Sequence, residues 1–120
     1  MSLITQVKMD QSLLVGEFVQ WNTEQLQFVK CTNHMNMRGV VDQAPTQNNE
    51  GDYVGLIRQA GVASVIAGAD IPDEGGRLGV DENGRAIIST SSDHSCGLIA
   101  SRIYGYPARL AGDTVVVWLR

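Results

Sequence analysis

Tyr53-Val54-Gly55-Leu56-Ile57-Arg58-Gln59-Ala60-Gly61-Val62-Ala63-Ser64-Val65-Ile66 is followed by Ala67-Gly68-Ala69-Asp70-Ile71-Pro72. Shortly after comes Gly76-Arg77-Leu78-Gly79-Val80-Asp81-Glu82-Asn83-Gly84-Arg85-Ala86-Ile87-Ile88-Ser89. Short apolar runs are interrupted here at close intervals by Gly, Pro, Asn and Asp. That punctuation predicts short strands joined by tight turns. The clearest signal is Asn83-Gly84, set between Leu78-Gly79-Val80 and Ala86-Ile87-Ile88. Asn and Gly both tolerate positive φ, which the primed turn of a two-residue hairpin loop requires at its central positions. Upstream, Pro72 has no N–H and restricts Ile71, so residues 67–72 cannot continue a strand. The stretch reads as strand, wide loop, hairpin. No part of it has a catalytic pattern.

The 120 residues suit one domain, residues 1–120, large enough to fold without disulfide or metal staples. Hydrophobic residues make up 43% and aromatics 6%, an ordinary globular balance with few large anchors. Nine Lys and Arg against thirteen Asp and Glu leave a formal charge of −4, with Lys8 and Lys30 the only lysines. A nucleic-acid binder normally carries a basic patch, and this composition argues against one. No window approaches the ~18 apolar residues of a membrane-spanning helix. The first residues, Met1-Ser2-Leu3-Ile4-Thr5-Gln6, lack the basic start and apolar core of a signal peptide. Synthesis in a cytoplasm, without membrane association, is the expectation.

Working outward, Leu3, Ile4, Val7 and Met9 follow no clean period, so residues 1–10 suit either an extended arm or an edge strand. Two strands and a short turn are expected across residues 13–21 and 26–31, where Phe18, Val19, Trp21 and Phe28 are strand formers. Residues 32–37 read as a polar loop, Gly39-Val40-Val41 as a brief strand, and residues 44–52 as an exposed turn. After the central stretch, residues 90–95 form another polar loop and Cys96 to Ile103 resumes a strand. A short helical turn near residues 106–110 is the best candidate for helix. The strongest strand closes the chain at Thr114-Val115-Val116-Val117-Trp118-Leu119. About eight short strands with turns at roughly ten-residue spacing predict an all-β fold. The expected form is a compact small sandwich or barrel of short antiparallel strands, with at most one or two short helical turns.

Chemistry has few places to reside. Cys31 and His34 are spaced Cys-x-x-His, and His94 and Cys96 are spaced His-x-Cys, so two loops carry four residues able to ligate zinc. Paired Cys-x-x-Cys is the commoner structural spacing, and two separate thiols with two surface histidines is the plainer reading. A Cys–His nucleophile pair drawn from the same residues is weaker still. Asp70, Asp73 and Glu74 lack the alternating donors and closing Glu of a calcium loop and read as turn residues. Gly75-Gly76-Arg77-Leu78-Gly79 has no Lys-Ser/Thr and no following helix, so it is not a phosphate loop. No metal, cofactor or catalytic group is expected. Leu3, Ile4 and Val7 are the candidates for contact with a partner, by strand addition at a neighbour's sheet edge.

The succession of pieces carries one resemblance. Glu50-Gly51-Asp52-Tyr53-Val54, Gly61-Val62-Ala63-Ser64-Val65 and Ala67-Gly68-Ala69-Asp70-Ile71 are followed by Gly76-Arg77-Leu78-Gly79-Val80-Asp81 and Asn83-Gly84-Arg85-Ala86. Cys96-Gly97-Leu98-Ile99-Ala100 and Gly112-Asp113-Thr114-Val115-Val116-Val117-Trp118-Leu119 complete it. In order and spacing, residues 39–119 resemble the small tailed-bacteriophage capsid cement, or head decoration, proteins. Residues before Gly39, with Phe18, Trp21 and Phe28, depart from that family's short N-terminal half. The resemblance implies a compact β-fold bound to the outside of an assembled head. It also implies a major capsid protein as partner, self-association as a homotrimer, location on the virion surface, and no enzymatic activity. A small Cys/His metal-binding or thiol enzyme, and a minor tail or fibre domain, are the alternatives. Bound-metal analysis separates the first of these, and imaging of intact particles the second.

Overall fold

The strand β5, Tyr53–Ile66, is the spine of the molecule. At ~3.3 Å per residue its fourteen residues reach roughly 43 Å, close to the 45 Å long dimension of the protein. The structure is a computed structural model that describes residues 3–71, 76–88, 100–102 and 111–119. Eight further strands are described: β1 Leu3–Lys8, β2 Phe18–Asn22, β3 Gln27–Lys30, β4 Gly39–Gln47, β6 Gly76–Val80, β7 Ala86–Ile88, β8 Ala100–Arg102 and β9 Thr114–Leu119. The described strand pairings are all antiparallel, and the one helical element described is a 3-10 turn at His34–Asn36. The fold is all-β, as expected.

Two sheets share β5. Its first half pairs with β4 on one side and with β1, while its second half pairs with β9. Beyond these, the strand order runs β3-β2-β4-β5-β9-β8-β6-β7. The handover falls at Gly61, which takes φ of +93° and pairs with Leu119, the last residue of β9. The first sheet curls back on itself, because Met9 at the end of β1 bridges Phe28 of β3. Inside this small barrel lie Met9, Leu13, Val19, Val41 and Ile57, with Val7 and Phe28 against them. A larger cluster under the second sheet joins Phe18, Met37, Val40, Val65, Ile71, Leu78, Val80, Val115, Val117 and Leu119.

Three expectations are corrected. The glycines of β5 do not cut it into short strands. A Cβ on Gly55 would stand 2.6 Å from the Gln43 carbonyl oxygen and 2.8 Å from Met9 Sδ, so this glycine admits the neighbouring chain. Second, β4 runs through Gln47, well into the segment read as a turn. Register shifts between Val41 and Gln43, and again between Gln43 and Thr46, place Pro45 where no ladder N–H is required. Third, Leu13-Leu14-Val15 is not strand; those residues lie in turns leading to β2.

The β6–β7 hairpin exists, with Leu78 opposite Ile88 and Val80 opposite Ala86. Its loop differs from the two-residue primed turn. Among the described non-glycine residues only Leu26 has positive φ, so Asn83 does not adopt it, whereas Gly84 does at +72°. The Gly84 N–H donates to the Asp81 carbonyl (3.3 Å), Asp81 N–H donates to the Arg85 carbonyl (2.9 Å), and Asp81 Oδ1 accepts from Asn83 and Arg85 N–H. This is a three-residue loop, a turn followed by a left-handed glycine. The β4–β5 loop repeats the plan: Gly51 at +86° donates to Asn48 O, Asn48 N–H donates to Asp52 O, and Asn48 Oδ1 accepts from Glu50 and Asp52 N–H. The two loops differ in their surroundings. Gly51 is exposed, but Gly84 is buried, with its carbonyl accepting from Phe18 N–H at 2.8 Å. That contact fastens the second sheet's hairpin to the start of β2. The expected loop at residues 90–95, the expected helical turn near residues 106–110, and residues 72–75 lie outside the described residues.

Candidate docking face

Residues of β5 alternate along both halves, with a half-buried run from Arg58 to Ala60 between them. Gly55, Ile57, Gly61, Ala63 and Val65 are buried, and the even-numbered residues between them turn outward. The alternation resumes at Gly61, and the outward face is most open beyond it, at Val62 and Ser64. Val62 on that face is 45% exposed and stands directly opposite Trp118 of β9, itself 50% exposed. Ile4 of β1, 43% exposed, pairs with Arg58 on the same outward row. Beside Val62, Val15 projects from the turn before β2. Together with Val40, Val41 and Ala63 they line a depression of about 290 Å³, with the Arg58–Asp42 ion pair in its wall (3.1 Å). The face combines apolar side chains with Ser64 and one fixed ion pair, and it offers shape and buried area rather than reactive groups.

Of the two places open to the first residues, the chain takes the strand: Leu3–Lys8 pairs along β5 from Ala60 to Val54. Among the described residues β1 pairs with β5 alone, apart from the Met9 bridge, so its other edge carries no strand. Ile4 faces outward. Val7 faces inward, against the barrel cluster, and Lys8 pairs with Asp52 at 3.4 Å. For Leu3 the backbone pairing with Ala60 is what the structure describes.

The Cys/His candidates do not assemble into a described site. Cys31 is fully buried in the larger cluster. Burial pushes its thiol up to about 11, while the Asn33 backbone and the Arg38 charge pull the other way. A thiol held protonated is a poor nucleophile and a poor metal ligand. His34 opens the 3-10 turn, and His94 and Cys96 lie outside the described residues. Among the described residues no group of three or more His, Cys, Asp or Glu is placed to hold a metal ion. No described helix is long and apolar enough to cross a membrane.

Val15, Val62 and Trp118 were not singled out from the sequence as a surface. Each sits in an apolar run of the kind that normally fills a core, and only the pairing of Val62 with Trp118 shows them sharing an outer face. In comparison with known proteins, the chain matches no family model, no curated protein and no solved structure.

Proposed function

We propose that this protein is a capsid cement protein, which binds the outer surface of an assembled phage head and bridges neighbouring major capsid protein subunits. The observation that carries the reading is the outward row of the spine strand, where Ile4, Val62 and Trp118 stay exposed although the chain has a large interior to bury them in. Val62 and Trp118 are direct cross-strand neighbours, and adjoining exposed apolar side chains mark interaction surfaces. The edge of β1 that no described strand covers supplies backbone donors and acceptors beside Ile4, a second mode of attachment by strand addition. The turn and strand order of residues 39–119, an acidic and lysine-poor composition, and a buried protonated Cys31 support binding over catalysis.

The mechanism is linkage. A subunit that touches two or more neighbours at once finds its complete site only on the assembled shell, so each bound copy stabilises that shell by mass action. Self-association as a homotrimer belongs to the same proposal, since a trimer presents three such faces to a threefold arrangement of capsid subunits. The test adds purified protein to heads that lack it, then measures bound protein by sedimentation and shell disruption on heating. Wild-type protein should bind and raise the disruption temperature. The double variant Val62→Ser/Trp118→Ser should stay folded but bind at least about 30-fold more weakly, the size of one interface hot spot of about 2 kcal/mol. Wild-type protein that ignores assembled heads refutes the function. A double variant that decorates normally refutes the face.

A further inference from the structure

A second depression lies away from the spine's outward row, and its lining has a different chemistry. Trp21 and Gln20 of β2, Thr23 of the following turn, Phe28 of β3, Asn36 of the 3-10 turn, Arg38, and Gln59 of β5 enclose about 570 Å³. That volume is within the ~300–1,000 Å³ of ordinary ligand pockets. Trp21 and Phe28 are cross-strand partners, their rings 5.1 Å apart at 71°. The edge-to-face contact holds the indole in place while it remains 44% exposed. Around this platform are three carboxamides, one hydroxyl and one guanidinium, with no carboxylate in the lining.

The hydrogen-bonding state of these groups points to a ligand. Gln20 Oε1 is held by the Thr32 N–H at 3.1 Å, which orients the amide while its nitrogen makes no bond among the described residues. Gln59 Nε2 reaches the Arg38 carbonyl at 3.4 Å, so that side chain is also anchored. Arg38 donates from Nη1 to the Met37 carbonyl at 3.1 Å, and no described carboxylate pairs with it. By contrast, Lys8, Lys30 and Arg58 each pair with a described carboxylate. We propose that this pocket binds a saccharide bearing a carboxylate, such as a uronic acid.

The chemistry matches residue by residue. The C–H-lined face of a pyranose carries partial positive charge and lies against the negative face of the indole. Gln20, Asn36 and Thr23 offer the mixed donors and acceptors that ring hydroxyls need. Arg38 presents a planar fork to a carboxylate, with a geometry that a neutral sugar cannot use. A single-stranded nucleic acid would also stack on Trp21, but it needs a run of cations to follow its phosphates, and this pocket holds one in a chain of net charge −4. A purely apolar partner would leave the amide nitrogen of Gln20 without an acceptor.

The test is calorimetric titration of the full chain with trisaccharides of galacturonate, glucuronate and mannuronate, a matched neutral trisaccharide and an Asp-rich hexapeptide. At least one uronate should bind with Kd below about 1 mM, and its neutral counterpart at least fivefold more weakly, about 1 kcal/mol. Arg38→Gln, an exposed position, should erase that preference without abolishing binding. Trp21→Ala should weaken both sugars at least about tenfold. If Trp21→Ala melts early, Trp21→Phe keeps an aromatic partner for Phe28 and should still weaken both, by a smaller factor. Binding of no uronate overturns the proposal, and so does binding that ignores both Arg38→Gln and the Trp21 variants. An acidic peptide bound as tightly as the best uronate also overturns it, because the pocket would then read charge alone.

Discussion

Two glycines in loops of the same plan allow backbone strain to be separated from tertiary docking. Gly51 and Gly84 both occupy the left-handed position after a turn, at φ of +86° and +72°. An added Cβ there costs about 1–2 kcal/mol in either loop. At Gly51 the Cβ would meet only the end of the Gln47 side chain, 3.9 Å away. At Gly84 it would stand 2.8 Å from Lys30 Cγ and 3.1 Å from the Phe18 carbonyl oxygen. Lys30 is tied to the buried Glu17 at 3.3 Å, and the Phe18 backbone is part of β2, so neither gives way freely. Overpacking of this kind adds about 1–3 kcal/mol. Gly51→Ala should therefore lose about 1–2 kcal/mol and Gly84→Ala about 2–5 kcal/mol. For a chain of this length, at about 4 °C per kcal/mol, melting temperatures should fall by about 4–8 °C and about 8–20 °C respectively. Gly84→Val should be worse than Gly84→Ala, because a β-branched residue resists positive φ more strongly. Thermal unfolding followed by circular dichroism reads all three. Equal losses in the two alanine variants would refute the docking of the β6–β7 loop on β2. No loss in either would refute the left-handed conformations.

Further outcomes follow from the buried thiol and the first strand. With its thiol at about 11 against an ordinary 9.0, Cys31 carries roughly a hundredth of the usual thiolate at pH 8. Native alkylation of the Cys31 peptide, read by mass spectrometry, should thus be at least about a hundredfold slower than in denaturant. Comparable rates would show that the site is open. Because the folded value is raised, this contribution to stability is complete below about 9 and is lost as pH climbs through about 11, amounting to about 2–3 kcal/mol. Cys31→Ala should flatten that alkaline decline, and an unchanged decline would assign it to another group. Deleting residues 1–8 removes the β1 pairing along β5, the Val7 contact and the Lys8–Asp52 ion pair, and should cost at least about 2 kcal/mol. A truncated chain with an unchanged melting temperature would mean that β1 is not part of the domain.

The sequence by itself determined the fold class, the β6–β7 hairpin and the last strand. Those readings rest on local chemistry: Asn83-Gly84 marks a turn wherever it falls, and Thr114-Val115-Val116-Val117-Trp118-Leu119 is β-branched and aromatic almost throughout. The meaning of an individual glycine was beyond it. Gly55, Gly61 and Gly84 look alike in a string, yet one admits Met9 and Gln43, one passes the spine strand between two sheets, and one seats a loop against β2. Each role is set by a neighbour at least a dozen residues away in sequence. The surfaces were hidden for the same reason. Val62 and Trp118 are 56 positions apart and belong to runs that read as core, and antiparallel register sets them side by side on an outer face. Trp21, Arg38 and Gln59 come from three separate segments and meet in one pocket because the first sheet curls back on itself. Turn type and strand preference are properties of a few adjacent residues, whereas a face is made by pairing register, and register exists only once the strands have met.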